Sequence, residues 1–414
     1  MGSKHNPSLF LSLFPVFLIF AALSSQVSTF TTDFPILDRP TEFLSDEKVF
    51  QLFQEWKQKL GKVYKNEEEE EMRLENFKRN VKYIIKKNSK RKSDSDHLVG
   101  LTIFTDMSNE EFSQVYTSKI KIPFNKNKTI QMKNVGKKST TASCDAPPSW
   151  DWRKYRAVTE VKSQGHCGAC WSFSAAGAIE GINAIVTGEL ISLSEQELID
   201  CDSTHSNSGC KGGLMDPAFE WVINNGGIDS AANYPYKASQ GICNYNKVGN
   251  IVATIDGYQD VPNDENALLC AVAQQPVSVG IDGKSIDFQH YTGGIYDGEC
   301  FSDPDYLSQA ALIVGYGSDG YNDYWIIKNS WGTYWGMEGY GYIRRNTDLP
   351  YGVCASSLSV SSRSTTSPPS PLPPPPPSPK PSECGDFYYC PEDQACCCEL
   401  RVSTATNKEQ NPTL

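Results

Sequence analysis

The sequence predicts an α+β fold, with a charged helical segment in front of a body whose first half is helical and whose second half is strands. Three observations carry this. Residues 47–88 repeat apolar side chains at helical spacing, beginning with Phe50, Phe53, Trp56 and Leu60. A second helical run opens at Cys170 and continues through Ile185. From residue 276 onward, apolar and polar residues alternate between glycines, as in 276–281 and 310–316, which is the period of antiparallel strands. A helical half packed on a sheet half leaves a cleft between two lobes.

Taken in order, Lys4 and His5 precede an apolar run from about Leu9 to Leu23, followed by Ser24, Ser25 and Ser28. This reads as a secretory signal peptide over residues 1–25. The run is short for a bilayer span, and no later stretch reaches the ~20 apolar residues a span requires, so no membrane association is expected after its removal. Fourteen cysteines in an exported chain imply disulfides formed in an oxidising compartment. The expected destinations are the vacuole or lysosome and the extracellular space. A formal net charge of -11 excludes nucleic acid as a natural partner.

Along residues 69–88, Glu69, Arg73, Phe77, Asn80, Ile84 and Asn88 fall three or four apart and so share one helix face. Residues 119–143 are rich in Lys, Asn, Ser and Thr without an apolar period, as expected of an exposed, cleavable connector. Asn127-Lys128-Thr129 within it is a glycosylation acceptor. The main body follows over residues 144–360, where Ser194 with Glu197 three residues on predicts a capped short helix. Residues 361–382 are proline- and serine-rich and suit a stiff polyproline II spacer. Over residues 383–414, Cys384, Cys390, Cys396, Cys397 and Cys398 crowd together ahead of a polar tail. That cluster lacks the paired CxxC units of a zinc site, so no metal and no cofactor are expected.

Two segments carry chemistry. Gln164-Gly165-His166-Cys167-Gly168-Ala169-Cys170-Trp171-Ser172-Phe173 places a cysteine at the start of a helix, where the helix N-terminus favours the thiolate. Tyr324-Trp325-Ile326-Ile327-Lys328-Asn329-Ser330-Trp331-Gly332 is the second. Over residues 47–357 the chain resembles the papain family of cysteine proteases, and most closely the plant subgroup with a proline-rich spacer and a granulin-like domain. The row from Glu69 to Asn88 is similar to that family's inhibitory propeptide signature. Gly100, Phe104 and Asp106 match a second propeptide motif, with Thr102 where asparagine is usual.

The resemblance implies a papain-like two-lobe fold, a helical lobe against an antiparallel, barrel-like β lobe, preceded by an inhibitory propeptide over residues 26–143 with its helical core at about 47–118. It implies Cys170 as nucleophile, Gln164 and the Cys170 backbone N–H as oxyanion hole, Asn329 as the residue orienting a histidine, and Trp331 as its shield. It assigns the groove to Gly212 and Gly213, and the main specificity pocket to Leu214, Met215, Gly280 and Ala310, which suits a bulky apolar side chain. Ordinary core packing is the other reading of Leu214 and Met215. The implied disulfides are Cys167 with Cys210, Cys201 with Cys243, and Cys300 with Cys354, leaving Cys270 free and buried and Cys144 without a partner. The tail departs from a full granulin-like domain, because its five cysteines are followed by polar sequence.

One position breaks the pattern. The family's histidine falls at Gln309, just before Ala310. Glutamine does not titrate, so it can neither form a thiolate–imidazolium pair nor protonate a leaving amine. Among His5, His97, His166, His205 and His290, only His166, four residues before Cys170, is a candidate replacement. Two readings follow: a cysteine endopeptidase zymogen strongly impaired in turnover, or a non-catalytic pseudoprotease that holds peptides or cystatin-like inhibitors in an intact cleft. Under either, the partners are peptides, protein inhibitors and the chain's own propeptide, the chain is a monomer, and maturation is expected in trans.

Overall fold

The computed structural model describes residues 44–117, 144–203, 206–349, 351–356 and 359–363. The expected signal peptide, Asn127, His205 and the tail cysteines lie outside these residues, as does the proline-rich spacer from residue 364 on, whereas residues 361–363, expected to open that spacer, form part of the last strand of the body. The helical segment comprises α1 (Asp46–Lys59), α2 (Glu67–Asn88), the short strand β1 (Leu98–Val99) and α3 (Asn109–Tyr116). The Asn66 side chain caps α2 by accepting from Glu69 N–H at 2.9 Å. Glu67 to Glu70 fill its first turn and Lys86 and Lys87 its last, matching the helix dipole at both ends. The face of α2 that carries Phe77, Val81, Ile84 and Ile85 closes on Val49, Leu52, Phe53 and Trp56 of α1 to make a core separate from that of the body.

The body begins with β2 (Trp150–Asp151) and the long helix α4 (Cys170–Thr187), then α5 (Glu195–Cys201), α6 (Met215–Asn225) and α7 (Tyr245–Val248). β3 (Gly257–Asp260), α8 (Glu265–Val272), β4 (Val277–Ile281), α9 (Ile286–Gln289), β5 (Tyr291–Gly293) and β6 (Ile295–Tyr296) lead into the second lobe. It is completed by β7 (Gln309–Ser318), β8 (Asp323–Lys328), β9 (Tyr340–Arg344) and β10 (Ser359–Arg363). The sheet runs β3-β10-β4-β7-β8-β9-β6, with β2 added beside β7. Its ladders are antiparallel except β6 with β9, which run parallel.

Helix α4 is buried all round from Cys170 to Ile182, which explains its lack of a polar face. It seats directly on the sheet. The Ser174 hydroxyl donates to the Ala311 carbonyl at 2.6 Å, and the Ser278 hydroxyl donates to the Ser174 carbonyl at 2.9 Å. Gly177 makes that approach possible, because a Cβ there would lie 2.9 Å from a Leu312 methyl. Ser194 caps α5, its hydroxyl accepting from Glu197 N–H at 2.9 Å.

Four disulfides join described residues. Cys167 pairs with Cys210, Cys201 with Cys243, and Cys300 with Cys354. The fourth corrects an expectation. Cys270 is not free and Cys144 is not without a partner, because they are bonded to each other across a separation of 126 residues. Cys270 sits in α8 beneath the path by which the chain enters the body, so a residue distant in sequence is adjacent in space. Nothing in the local pattern around either cysteine signals that approach.

Candidate active site

The helical segment forms a lid over the cleft. β1 pairs antiparallel with β5, and Gly100 N–H donates to the His290 carbonyl at 2.8 Å. The face read from sequence on α2 makes the seat: the Asn80 amide donates to the Thr105 and Met107 carbonyls, each at 2.8 Å. The Asp106 carboxylate accepts from Lys62 at 3.1 Å and from the Tyr64 hydroxyl at 2.9 Å. Thr102, where asparagine was expected, donates through its hydroxyl to the Gln289 carbonyl at 3.1 Å and so ties this loop to the body. Phe104 and Phe112 then meet the Trp331 indole edge-on at 5.4 and 5.2 Å.

Helix α4 brings Cys170 to the floor of this covered cleft, fully buried at the helix N-terminus. It is the one described cysteine outside a disulfide. Gln164 is also fully buried and is fixed from three sides. Its backbone N–H donates to the Ser330 carbonyl at 2.8 Å, its Oε1 accepts from the Ser330 hydroxyl at 2.6 Å, and its Nε2 donates to the Cys167 carbonyl at 2.9 Å. The same amide faces the Tyr116 carbonyl at 3.5 Å, so the end of α3 occupies the space before the expected oxyanion donors. Ser330 thereby links the lobes, a role the sequence did not single out although the residue lies between Asn329 and Trp331.

β7 starts at Gln309 and β8 ends at Lys328, and their antiparallel pairing brings Gln309 and Asn329 to one end of the hairpin. Gln309 Nε2 donates to Asn329 Oδ1 at 2.8 Å, with Ser330 Oγ at 3.4 Å. The amide therefore takes up the hydrogen bond to Asn329 that the family resemblance gives to an imidazole. It leaves three buried polar atoms without a partner: Gln309 Oε1, Asn329 Nδ2 and Trp331 Nε1. His166 is exposed on the cleft rim, with Nδ1 at 3.4 Å from the Tyr116 hydroxyl. His290 is fully buried, with its carbonyl accepting from Gly100 N–H.

Behind the hairpin, Lys162 is held between Glu180 at 3.0 Å and Glu195 at 2.5 Å. Burial pushes the Glu195 carboxyl up to about 7 against the pull of Lys162. Burial lowers the Lys328 ammonium from its ordinary value. A cavity of about 20 Å³, room for one water, lies between this cluster and Ala310, Asn329 and Ser330.

Leu214, Met215 and Ala310 belong to one buried apolar cluster, which also includes Leu307. Leu307 stands where a Gly280 side chain would point, 3.3 Å from that absent Cβ, and it went unrecognised in the sequence. Gly212 has a φ of +112°, a conformation that glycine alone adopts without strain. Gly213 is a glycine for a different reason than close approach of a bound peptide. A Cβ there would meet the Trp171 ring at 2.7 Å and Asn207 Oδ1 at 2.4 Å.

Comparison with known proteins agrees with this geometry. Residues 146–362 match the papain family cysteine protease model, and residues 53–112 match the cathepsin propeptide inhibitor domain. A probable thiol protease of Glycine max is 46% identical over 84% of this chain and 93% of its own length. A probable cysteine protease of Arabidopsis thaliana is 41% identical over 94% of this chain and 84% of its own. Among solved structures, the recombinant stem bromelain precursor superposes with a TM-score of 0.68 at 38% identity, covering 77% of this chain and 100% of that one. The proform of a ragweed pollen cysteine protease gives a TM-score of 0.67 at 37% identity, covering 77% and 96%.

Proposed function

The chain belongs to the papain family of cysteine proteases, and from that premise we propose that it is a zymogen whose peptide-bond hydrolysis is strongly impaired. The observation that carries this is Gln309 Nε2 hydrogen-bonded to Asn329 Oδ1 at 2.8 Å. In the proposed reaction, the Cys170 sulfur attacks the scissile carbonyl, whose oxygen becomes an anion held by Gln164 and the Cys170 N–H. The thiol proton must leave before attack, and the departing amine must gain a proton as the C–N bond breaks. Gln309 performs neither transfer at any accessible pH. The groove residues Gly212 and Gly213, with Leu214, Met215, Gly280, Ala310 and Trp331 around the specificity pocket, bind without needing the base.

A second reading, a pseudoprotease that retains peptides or cystatin-like inhibitors, is favoured by one contact. The Tyr116 carbonyl already faces the Gln164 amide, so the cleft accommodates a peptide with glutamine at 309. Both readings retain the secretory route, residues 26–143 as a removable propeptide and glycosylation at Asn127. The proline-rich spacer and short granulin-like tail remain part of both.

The test uses propeptide-free protein, natural and Gln309→His, titrated with a thiol-directed peptide epoxide and assayed on a Phe-Arg amide. Turnover in the histidine variant alone supports the impaired zymogen. Equal turnover in both overturns it and assigns the base to another group. Tight binding of unmodified peptide by the natural chain without turnover selects the pseudoprotease, and its absence removes that reading.

A further inference from the structure

Eight of the fifteen residues from Lys78 to Lys92 are Lys or Arg and none is Asp or Glu, in a chain whose net charge is -11. Part of this run is accounted for locally. Lys86 and Lys87 complement the C-terminal dipole of α2, Lys78 pairs with Glu75 at 2.7 Å, and Lys87 pairs with Asp287 at 2.5 Å. Arg91 donates to the Asp94 and Asp96 carbonyls. Lys82, Lys86, Lys90 and Lys92 differ from these: all four are exposed, and their ammonium groups form no ion pair or hydrogen bond among the described residues. Lys82, Lys86 and Lys90 follow at four-residue spacing and form a row, because the chain turns on beyond Asn88 with the Lys90 and Arg91 N–H groups donating to the Lys87 and Asn88 carbonyls at 3.1 Å.

The row borders a groove of about 570 Å³ at the seam between α2 and the body, closed on the other side by His97, Asp297 and Glu299. Its carboxylates are largely engaged. Asp96 accepts from the Lys92 and Ser93 N–H groups at 2.7 and 3.1 Å, and Asp297 takes Arg344 at 3.2 Å and His97 at 3.3 Å. Glu299 remains against Lys86, Lys90 and Lys92. Like charges at four-residue spacing destabilise a helix, and a groove that gathers them suits an anionic occupant.

We propose that the acidic segment 383–399 of this chain docks in that groove, against the basic end of α2. Glu383, Asp386, Glu392, Asp393 and Glu399 give the segment five carboxylates with no Lys or Arg between them. Phe387, Tyr388 and Tyr389 stand among these and supply ring faces for the Lys and Arg cations. The connection is long enough. In the sheet order, β10 lies five strand spacings from β6, which Asp297 follows, and at ~4.8 Å each this is about 24 Å. The spacer residues 364–382 reach about 59 Å as polyproline II, at ~3.1 Å per residue. Such a tether holds the segment at an effective concentration on the order of mM, an advantage that a separate polyanion lacks. Docking gives α2 a second covalent path to the body, independent of the connector 119–143.

The test is cross-linking of the full chain with a carbodiimide, which joins carboxylates to amines, in a Cys170→Ala background so that turnover at the natural site has no bearing. Products are mapped by mass spectrometry on a mixture of unlabelled and isotope-labelled protein. Links should form from Lys86 or Lys90 to segment 383–399 within single chains. Lys82→Glu with Lys92→Glu leaves both reactive amines in place and should lower that yield at least about fivefold, as should raising salt from ~0.01 to ~1 M, which cuts the screening length from about 30 to about 3 Å. Links between labelled and unlabelled protein would assign the groove to a second copy and overturn the proposal. Absence of links to the segment overturns it as well and leaves the groove to a separate polyanion. A yield unmoved by the charge reversal also overturns it. Should the reversed variant not fold, the salt series decides, and a yield unchanged by salt rejects the docking.

Discussion

Asn80 and Asn88 in the propeptide seat are as buried as Gln309 and Asn329 at the cleft, yet the two pairs differ in what they find. Asn80 places its amide on two carbonyls, and Asn88 donates to the Val99 carbonyl at 2.6 Å and accepts from its N–H at 3.2 Å. Gln309 and Asn329 satisfy each other once and leave Gln309 Oε1 and Asn329 Nδ2 unpartnered. The seat is complete in itself, whereas the centre beneath it lacks a group that both bonds Asn329 and exchanges a proton. Packing and proton transfer make different demands on one position, because an amide can fill the space and hydrogen-bond but does not titrate.

The sharpest way to break this contrast is to supply the missing group. Gln309→His should raise kcat/KM on a peptide amide by about 10²–10⁴-fold, with about 10⁶ as an upper bound, in steady-state assays of propeptide-free protein. No gain would mean that the unpartnered atoms at the centre are not the functional deficit. Next in size is a change to the body that leaves the centre alone. Replacing both Cys144 and Cys270 by serine opens a closure of 126 residues and should cost up to about 4–5 kcal/mol in denaturant unfolding. Epoxide labelling of Cys170 should not change, and a parallel loss of labelling would tie the centre to body stability.

A smaller effect probes the completed side. Asn80→Ala strips the Thr105 and Met107 carbonyls of their donor and should destabilise the zymogen by about 2–3 kcal/mol, read as a lower melting temperature and faster proteolysis of the seat. The propeptide-free body should be unaffected. The smallest effect concerns Glu197 in α5, whose Oε1 is also buried without a partner. Burial pushes its carboxyl up to about 7, so its favourable neutral form is fully present below about 4.3 and stability is lost as pH rises through about 7. Glu197→Gln should flatten that decline in melting temperature, and an unchanged slope would assign it to Glu195 or another group.

Much of this was legible before any coordinates. The α2 face from Phe77 to Asn88 follows from helical spacing, the Ser194 cap from its Glu197 partner, and the start of α4 from the apolar run after Cys170, because these are local periodic signals. Gln309 stood out only through the family resemblance, which places a histidine just before Ala310. The Cys144–Cys270 bond, the Ser330 bridge to Gln164 and Leu307 against Gly280 were not legible, since each joins residues whose approach depends on the path of intervening chain.

The sequence by itself determined the two-lobe class, the helical propeptide and the absence of a titrating group at residue 309, because backbone periodicity and side-chain pKa belong to residues wherever they lie. Only the tertiary structure decided that Gln309 closes on Asn329, that Gly213 makes room for Trp171, and that His290 is fully buried. Hydrogen-bond satisfaction and desolvation depend on which distant groups share the same few ångströms, and the completed fold sets that proximity.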